Sequence, residues 1–189
     1  MDSPLDMRFD ASSGDSARDF LNTSDFKNIG MVIRNYGEER NWKRITRMII
    51  QAASKNKMET TFHLRAAIES VTHQNFITKT LARVFQAIRI HINNEMGSLK
   101  TLLSIVFNYL EKGSRVVFIA FHSIEDRIVK KALKENSNFC ICPIEIPICQ
   151  CNIKPKIKII TKKAIMPSKL ELLSNKRARS AKMRVAERV

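Results

Sequence analysis

The sequence predicts an α/β chain in which a helical unit precedes a mixed segment of strands and helices. Three observations predict it. Apolar residues recur every three or four positions through the first half of the chain. Val116-Val117-Phe118-Ile119-Ala120-Phe121 is then apolar without a break, which is how a central parallel strand covered by helices on both faces reads. Near the end, Ala181, Met183 and Val185 alternate with Ser180, Lys182 and Arg184, the period of a closing strand.

Each element has its own signal. Residues 1–15, with Pro4, Gly14 and spaced Asp residues, read as a loop. Ser16 caps a short helix through Leu21, and Thr23 or Ser24 caps a second, with Phe26, Ile29 and Ile33 inward and Gly37 as its stop. Glu38 to Ala53 forms a third helix, with Trp42, Ile45, Ile49 and Ala52 on one face. Thr60 or Thr61 starts a fourth, burying Leu64, Ala67, Ile68 and Val71. From Arg83 to Leu110 the helical spacing continues, and Gly97 is the expected break. After the 116–121 strand, Ser123 is the expected N-cap of a helix, with Asp126 in a capping-box position. Ile157 and Ile159 alternate with Lys as in a strand, and Ser168 with Glu171 has the spacing of a short capped helix.

Charge and composition narrow the function. The 189 residues carry 33 Lys+Arg and 18 Asp+Glu, a net of +15. Six Asp and two Arg in residues 1–25 give −4, while twelve Lys/Arg and two Glu in residues 154–189 give +10. A polyanion is the expected partner, nucleic acid foremost; the alternative is a Lys-rich composition that serves solubility. The apolar run at 116–121 is far shorter than the roughly 20 residues of a membrane span, and the first residues have neither the charge nor the apolar stretch of a signal peptide. The reading is therefore a cytoplasmic protein with no membrane partner.

Several residue groups are candidates for chemistry. Cys140, Cys142, Cys149 and Cys151 form C-x-C-x6-C-x-C, which can supply four thiolates to zinc or remain a reduced, metal-free loop; the single-residue spacing within each pair is shorter than usual zinc spacing. His122 and Ser123 lie where a strand ends and a helix begins, the crevice side of an open parallel sheet. With Glu125 and Asp126 they are the residue types of a hydrolase, but no G-x-S-x-G elbow surrounds Ser123 and helix capping explains the set. Arg83, Gln86 and Arg89 share a helix sector suited to phosphate or base edges; the alternatives are a solvated face or ion pairs with the acidic segment 1–25. We take Arg83, Gln86, Arg89, His122, Ser123, Arg127, Arg177 and Arg179 as the candidate RNA-contacting residues. The five glycines are scattered, so there is neither a G-x-G turn nor a P-loop.

Longer strings carry a resemblance. S-P-L-D-M-R-F-D (3–10), N-Y-G-E-E-R (35–40), R-V-F-Q-A-I-R-I (83–90), F-H-S-I-E-D-R-I-V-K (121–130) and N-K-R-A-R-S-A-K-M-R-V-A-E-R (175–188) occur in that order. Together they resemble the small-subunit ribosomal RNA cytosine-N4 methyltransferases, the RsmH or MraW family. The resemblance implies the C-terminal part of a seven-stranded, Rossmann-like S-adenosylmethionine-dependent methyltransferase domain with an inserted all-helical domain. It implies residues 1–15 as a loop of the core, 16–75 as the insert and 76–189 as the C-terminal part of the core. On that template 115–121 corresponds to the fifth strand, and 156–161 and 179–187 to the last two. It also implies methyl transfer from S-adenosylmethionine to N4 of a cytidine in small-subunit rRNA, with the ribosomal subunit as partner.

The departures are equally specific. The family's glycine-rich turn after the first strand, the acidic residue after the second and the D-L-G-x-S-S motif after the fourth precede S-P-L-D-M-R, and none is in this sequence. Residues 79–82, K-T-L-A, stand where the family often has H-P-A-T. The resemblance thus covers the family's C-terminal two thirds, with the cofactor and catalytic elements outside it. Three expectations follow: a truncated or split methyltransferase, inactive alone, for which a separate chain is one source of the N-terminal strands; a non-catalytic basic RNA-binding remnant; or a zinc-loop interaction protein.

Overall fold

In the first half of the chain, helix starts are set by side chains that satisfy the otherwise unpaired N–H groups of the first turn. A computed structural model describes residues 2–56, 58–138, 151 and 154–189. Helix α1 (Ala17–Thr23) opens with a full capping box: Ser16 Oγ accepts from the Asp19 N–H, and the Asp19 carboxylate accepts from the Ser16 N–H. Helix α2 (Phe26–Gly37) is capped by Asp25, not by Thr23 or Ser24; the Asp25 carboxylate lies 2.7 Å from the Asn28 N–H. It ends where Glu38 turns left-handed at φ 48°. Helix α3 (Trp42–Ala53) starts later than the expected Glu38, because residues 38–41 make that reversal. Thr60 caps helix α4 (Thr61–Glu69), and helix α5 (Ile77–Ile92) follows a 3-10 turn at Gln74–Phe76.

The chain forms two compact units, Met1–Met96 and Gly97–Val189. The core of the first unit joins Ile29 and Ile33 of α2, Ile45 and Ile49 of α3, Leu64 and Ile68 of α4, and Val84, Ala87 and Ile88 of α5. Leu5 from the N-terminal loop is also buried there, held by an isolated bridge between Pro4 and Thr60. Two glycines set close helix approaches. A Cβ on Gly30 would sit 2.7 Å from the Trp42 ring, and one on Gly37 would sit 3.0 Å from the Arg83 carbonyl oxygen. Trp42 is further packed by Phe26, with Arg34 and Lys43 5.9 and 5.6 Å from its ring centre. The break expected at Gly97 falls earlier. Asn94 takes the left-handed conformation at φ 46°, as asparagine does more readily than most residues, and Gly97 lies inside helix α6 (Glu95–Ile105).

In the second unit, strand β1 (Arg115–Ala120), helix α7 (Ser123–Ser137), strand β2 (Ile157–Ile159), helix α8 (Lys169–Ser174) and strand β3 (Lys182–Arg188) make a sheet of order β1-β3-β2 with α7 against it. Among the described residues β1 is an edge strand, antiparallel to β3, with Val117 opposite Val185 and Ile119 opposite Met183, and not the central parallel strand expected at 116–121. Its Val116 and Phe118 face a core of Leu103, Phe107, Val129, Leu133, Ile157 and Ala186. Its other face is open, with Val117 52%, Ile119 58% and the following Phe121 55% exposed. The strand is apolar on both faces, as its sequence shows, but the described residues cover only one of them.

Candidate nucleic-acid interface

The strand-to-helix turn after β1 is built by F-H-S-I-E-D. The N-cap of α7 is His122, not Ser123: its Nδ1 accepts from the Glu125 N–H at 3.3 Å, and Ser123 is the first helical residue. The cap is therefore shifted by one residue, and the Glu125 carboxylate reaches back past it to accept from the Phe121 N–H at 2.9 Å. His122 Nε2 lies 3.2 Å from Glu125 Oε1, so both ring nitrogens face Glu125. Burial, the largest single influence, raises the Glu125 carboxyl, but the nearby His122 ring and the Phe121 N–H together hold it below its ordinary value, although His122 Nε2 is buried without a well-formed hydrogen bond. The ring is placed as a cap, not as the base of a hydrolase.

Asp126, expected in the capping box, points elsewhere. It is buried and meets the Arg184 guanidinium of β3 through two bonds, Nε to Oδ1 at 2.6 Å and Nη2 to Oδ2 at 3.1 Å. Lys182 Nζ lies 3.6 Å from the same carboxylate. The pair ties α7 to β3 and holds His122, Ser123 and the exposed Arg127 at the carboxyl end of β1. A cleft of about 570 Å³ there is lined by Ile119, Phe121, Ile165, Met166, Met183 and Arg177, among others. Arg179 is exposed on the same 3-10 segment, Lys176–Ser180. Within this unit the predicted residues lie on two elements, His122, Ser123 and Arg127 at the start of α7 and Arg177 and Arg179 on the 3-10 segment, and of the five Arg177 alone lines the cleft.

In the first unit, Arg83, Gln86 and Arg89 share α5 as expected, but two of the three are held by carboxylates. Glu39, only 5% exposed, accepts from Arg83 Nε at 2.8 Å and from its Nη2, which also donates to Thr80 Oγ1 at 3.2 Å. Arg89 Nε donates to Glu95 Oε1 at 2.8 Å. Neither partner lies in the acidic segment 1–25. That segment largely satisfies itself: Arg8 beside Asp6 holds the Asp6 carboxyl at about 2. Glu39 lies within N-Y-G-E-E-R, 44 positions from Arg83, and nothing in local spacing reveals that pairing.

Cys140, Cys142 and Cys149 lie outside the described residues, and among the described residues no three His, Cys, Asp or Glu side chains converge as metal ligands. For a nucleotide cofactor, a close backbone approach at a glycine is the usual requirement. Gly30, Gly37 and Gly97 are inside helices, and Gly14 and Gly113 are left-handed turn residues with open space where a Cβ would be. None follows the carboxyl end of a strand, so the residues described do not by themselves form a cradle for S-adenosylmethionine.

The chain is 45% identical over 186 residues to a ribosomal RNA small subunit methyltransferase H of Caldicellulosiruptor bescii, covering 98% of this chain and 61% of that protein. It is 42% identical to the protein of the same name in Clostridioides difficile over 100% of this chain and 61% of that protein. For that of Finegoldia magna the values are 43%, 100% and 62%. The chain thus spans about three fifths of the length of these curated relatives. Residues 1–189 in full match the MraW methylase family, and the chain belongs to that family.

Proposed function

We propose that this chain is the C-terminal part of a methyltransferase that transfers a methyl group from S-adenosylmethionine to N4 of a cytidine in small-subunit ribosomal RNA. The carrying observation is the family match over all 189 residues together with relatives of which it spans about 61%. In this reading residues 16–75 are the inserted helical domain, and 1–15 with 76–189 belong to the core. Strand β1 then corresponds to the fifth strand of a seven-stranded sheet and β2 and β3 to the last two. Its unpaired edge and open apolar face support this, since a strand with Val117, Ile119 and Phe121 exposed is suited to a further strand beside it and a layer above it.

The cofactor cradle belongs to the remaining part of the core, whether joined to this chain or supplied by another. What these residues contribute is a positioned strand end, through the His122–Glu125 cap and the Asp126–Arg184 pair, and a basic surface for the RNA. The second reading, a non-catalytic RNA-binding protein, is favoured by the lack of a glycine cradle among the described residues.

Calorimetric titration separates the two. The 189 residues alone are expected to show no S-adenosylmethionine binding. Mixed with a polypeptide equivalent to the relatives' remaining two fifths, they are expected to bind it and to label small-subunit particles from tritiated cofactor. Micromolar binding by the chain alone contradicts the split of sites. Absence of transfer from the mixture favours the second reading.

A further inference from the structure

A second cleft lies in the first unit. It is about 790 Å³, large enough for a nucleotide, and is lined by Arg40, Arg44, Arg83, His73 and Phe76 around the buried Glu39. Three features distinguish it. Arg83 is fixed: Glu39 and Thr80 take the donors on Nε and Nη2, and among the described residues Nη1 donates to none, so one edge of the guanidinium keeps its donors. Arg40 and Arg44 are exposed and have no carboxylate within 4 Å among the described residues. Phe76 is 59% exposed, with its ring 6.2 Å from that of His73.

We propose that this cleft binds single-stranded RNA, with backbone phosphates on Arg40, Arg44 and the free edge of Arg83, and a base stacked on Phe76. Exposed guanidiniums beside a solvent-facing aromatic are the combination that tracks a nucleic-acid strand, cations for the phosphates and a ring for the base face. An acidic peptide would use the arginines and leave the ring without a role. Three guanidiniums face two carboxylates, Glu38 and Glu39, and Glu39 is already matched to Arg83, so the lining favours an anion. The choice of RNA rests on the proposed function, but the site differs from the strand-end residues His122, Ser123 and Arg177.

The test is fluorescence anisotropy with a labelled, mixed-sequence oligoribonucleotide and the whole 189-residue chain, across a potassium chloride series. The double variant Arg40→Gln/Arg44→Gln is expected to reduce the log–log salt slope by about 1.4, two phosphate contacts at roughly 0.7 each, with an unchanged melting temperature. Phe76→Ala is expected to weaken binding about 5- to 30-fold at every salt concentration and leave the slope alone. The proposal is overturned by no RNA binding, by an unchanged slope in the double variant, or by polyphosphate competing as well as RNA while Phe76→Ala is silent. Methyl transfer by the completed protein is scored separately. Transfer intact with unchanged slopes sinks the cleft alone, and transfer absent with the expected slopes sinks the functional reading alone.

Discussion

Asp126 and Arg184 are 58 positions apart and buried together, so the pair links the start of α7 to the middle of the sheet. Arg184 holds the Asp126 carboxyl below its ordinary 3.8 despite the opposing effect of burial. Because the folded value is depressed, the pair contributes its full stability above pH 3.8, and the contribution fades as pH falls through 3.8 toward the folded value. Asp126→Asn leaves Arg184 and Lys182 adjacent without their anion and is expected to cost about 3–5 kcal/mol in urea unfolding at pH 7. At a pH below the folded value the difference from wild type is expected to shrink. An equal difference at both pH values would show that packing, not charge, sets the loss. At this scale the sequence is only partly legible. The caps at Ser16, Thr60 and Ser168 follow from residue type and spacing, because their partners are three residues away. Asp126 has that same spacing from Ser123, yet its partner is on β3. Arg83 likewise reads as a surface cation until Glu39 is brought beneath it.

Strand β1 shows how far an element can be read without its surroundings. Its five apolar letters, continued by Phe121, report burial on both faces, and the described residues cover one, so the strand reads correctly while its antiparallel edge position does not. That position depends on β3, whose pairing is non-local. The helices of the first unit are more legible, because 3.6-residue periodicity and capping both act within a few residues. The exceptions are breaks at Glu38 and Asn94, where non-glycine residues take positive φ. The open face of β1 has a measurable result. The chain is expected to self-associate with rising concentration in sedimentation velocity, and Ile119→Lys with Val117→Lys is expected to shift it toward monomer. Both side chains are more than half exposed, so the melting temperature is expected to stay within a few degrees of wild type. A monomeric wild type at every concentration would remove the argument for an unfilled edge.

The whole molecule divides its apolar burial unevenly. The unit Met1–Met96 has a contiguous core drawn from five helices and the N-terminal loop, whereas the core of Gly97–Val189 is smaller and one sheet face is open. Two transitions are therefore expected on heating, the sheet unit melting first, and a fragment of residues 1–96 is expected to unfold cooperatively on its own by circular dichroism. A single transition coincident at all wavelengths would contradict this. The division itself was not legible from the letters, because α6 continues across it and the left-handed residue before α6 is an asparagine. The ring that closes over Gly30 also makes the molecule a one-sided optical reporter. Trp42 is the single tryptophan of the chain, so emission excited at the red edge of its absorption follows the helical unit and is blind to loss of the sheet.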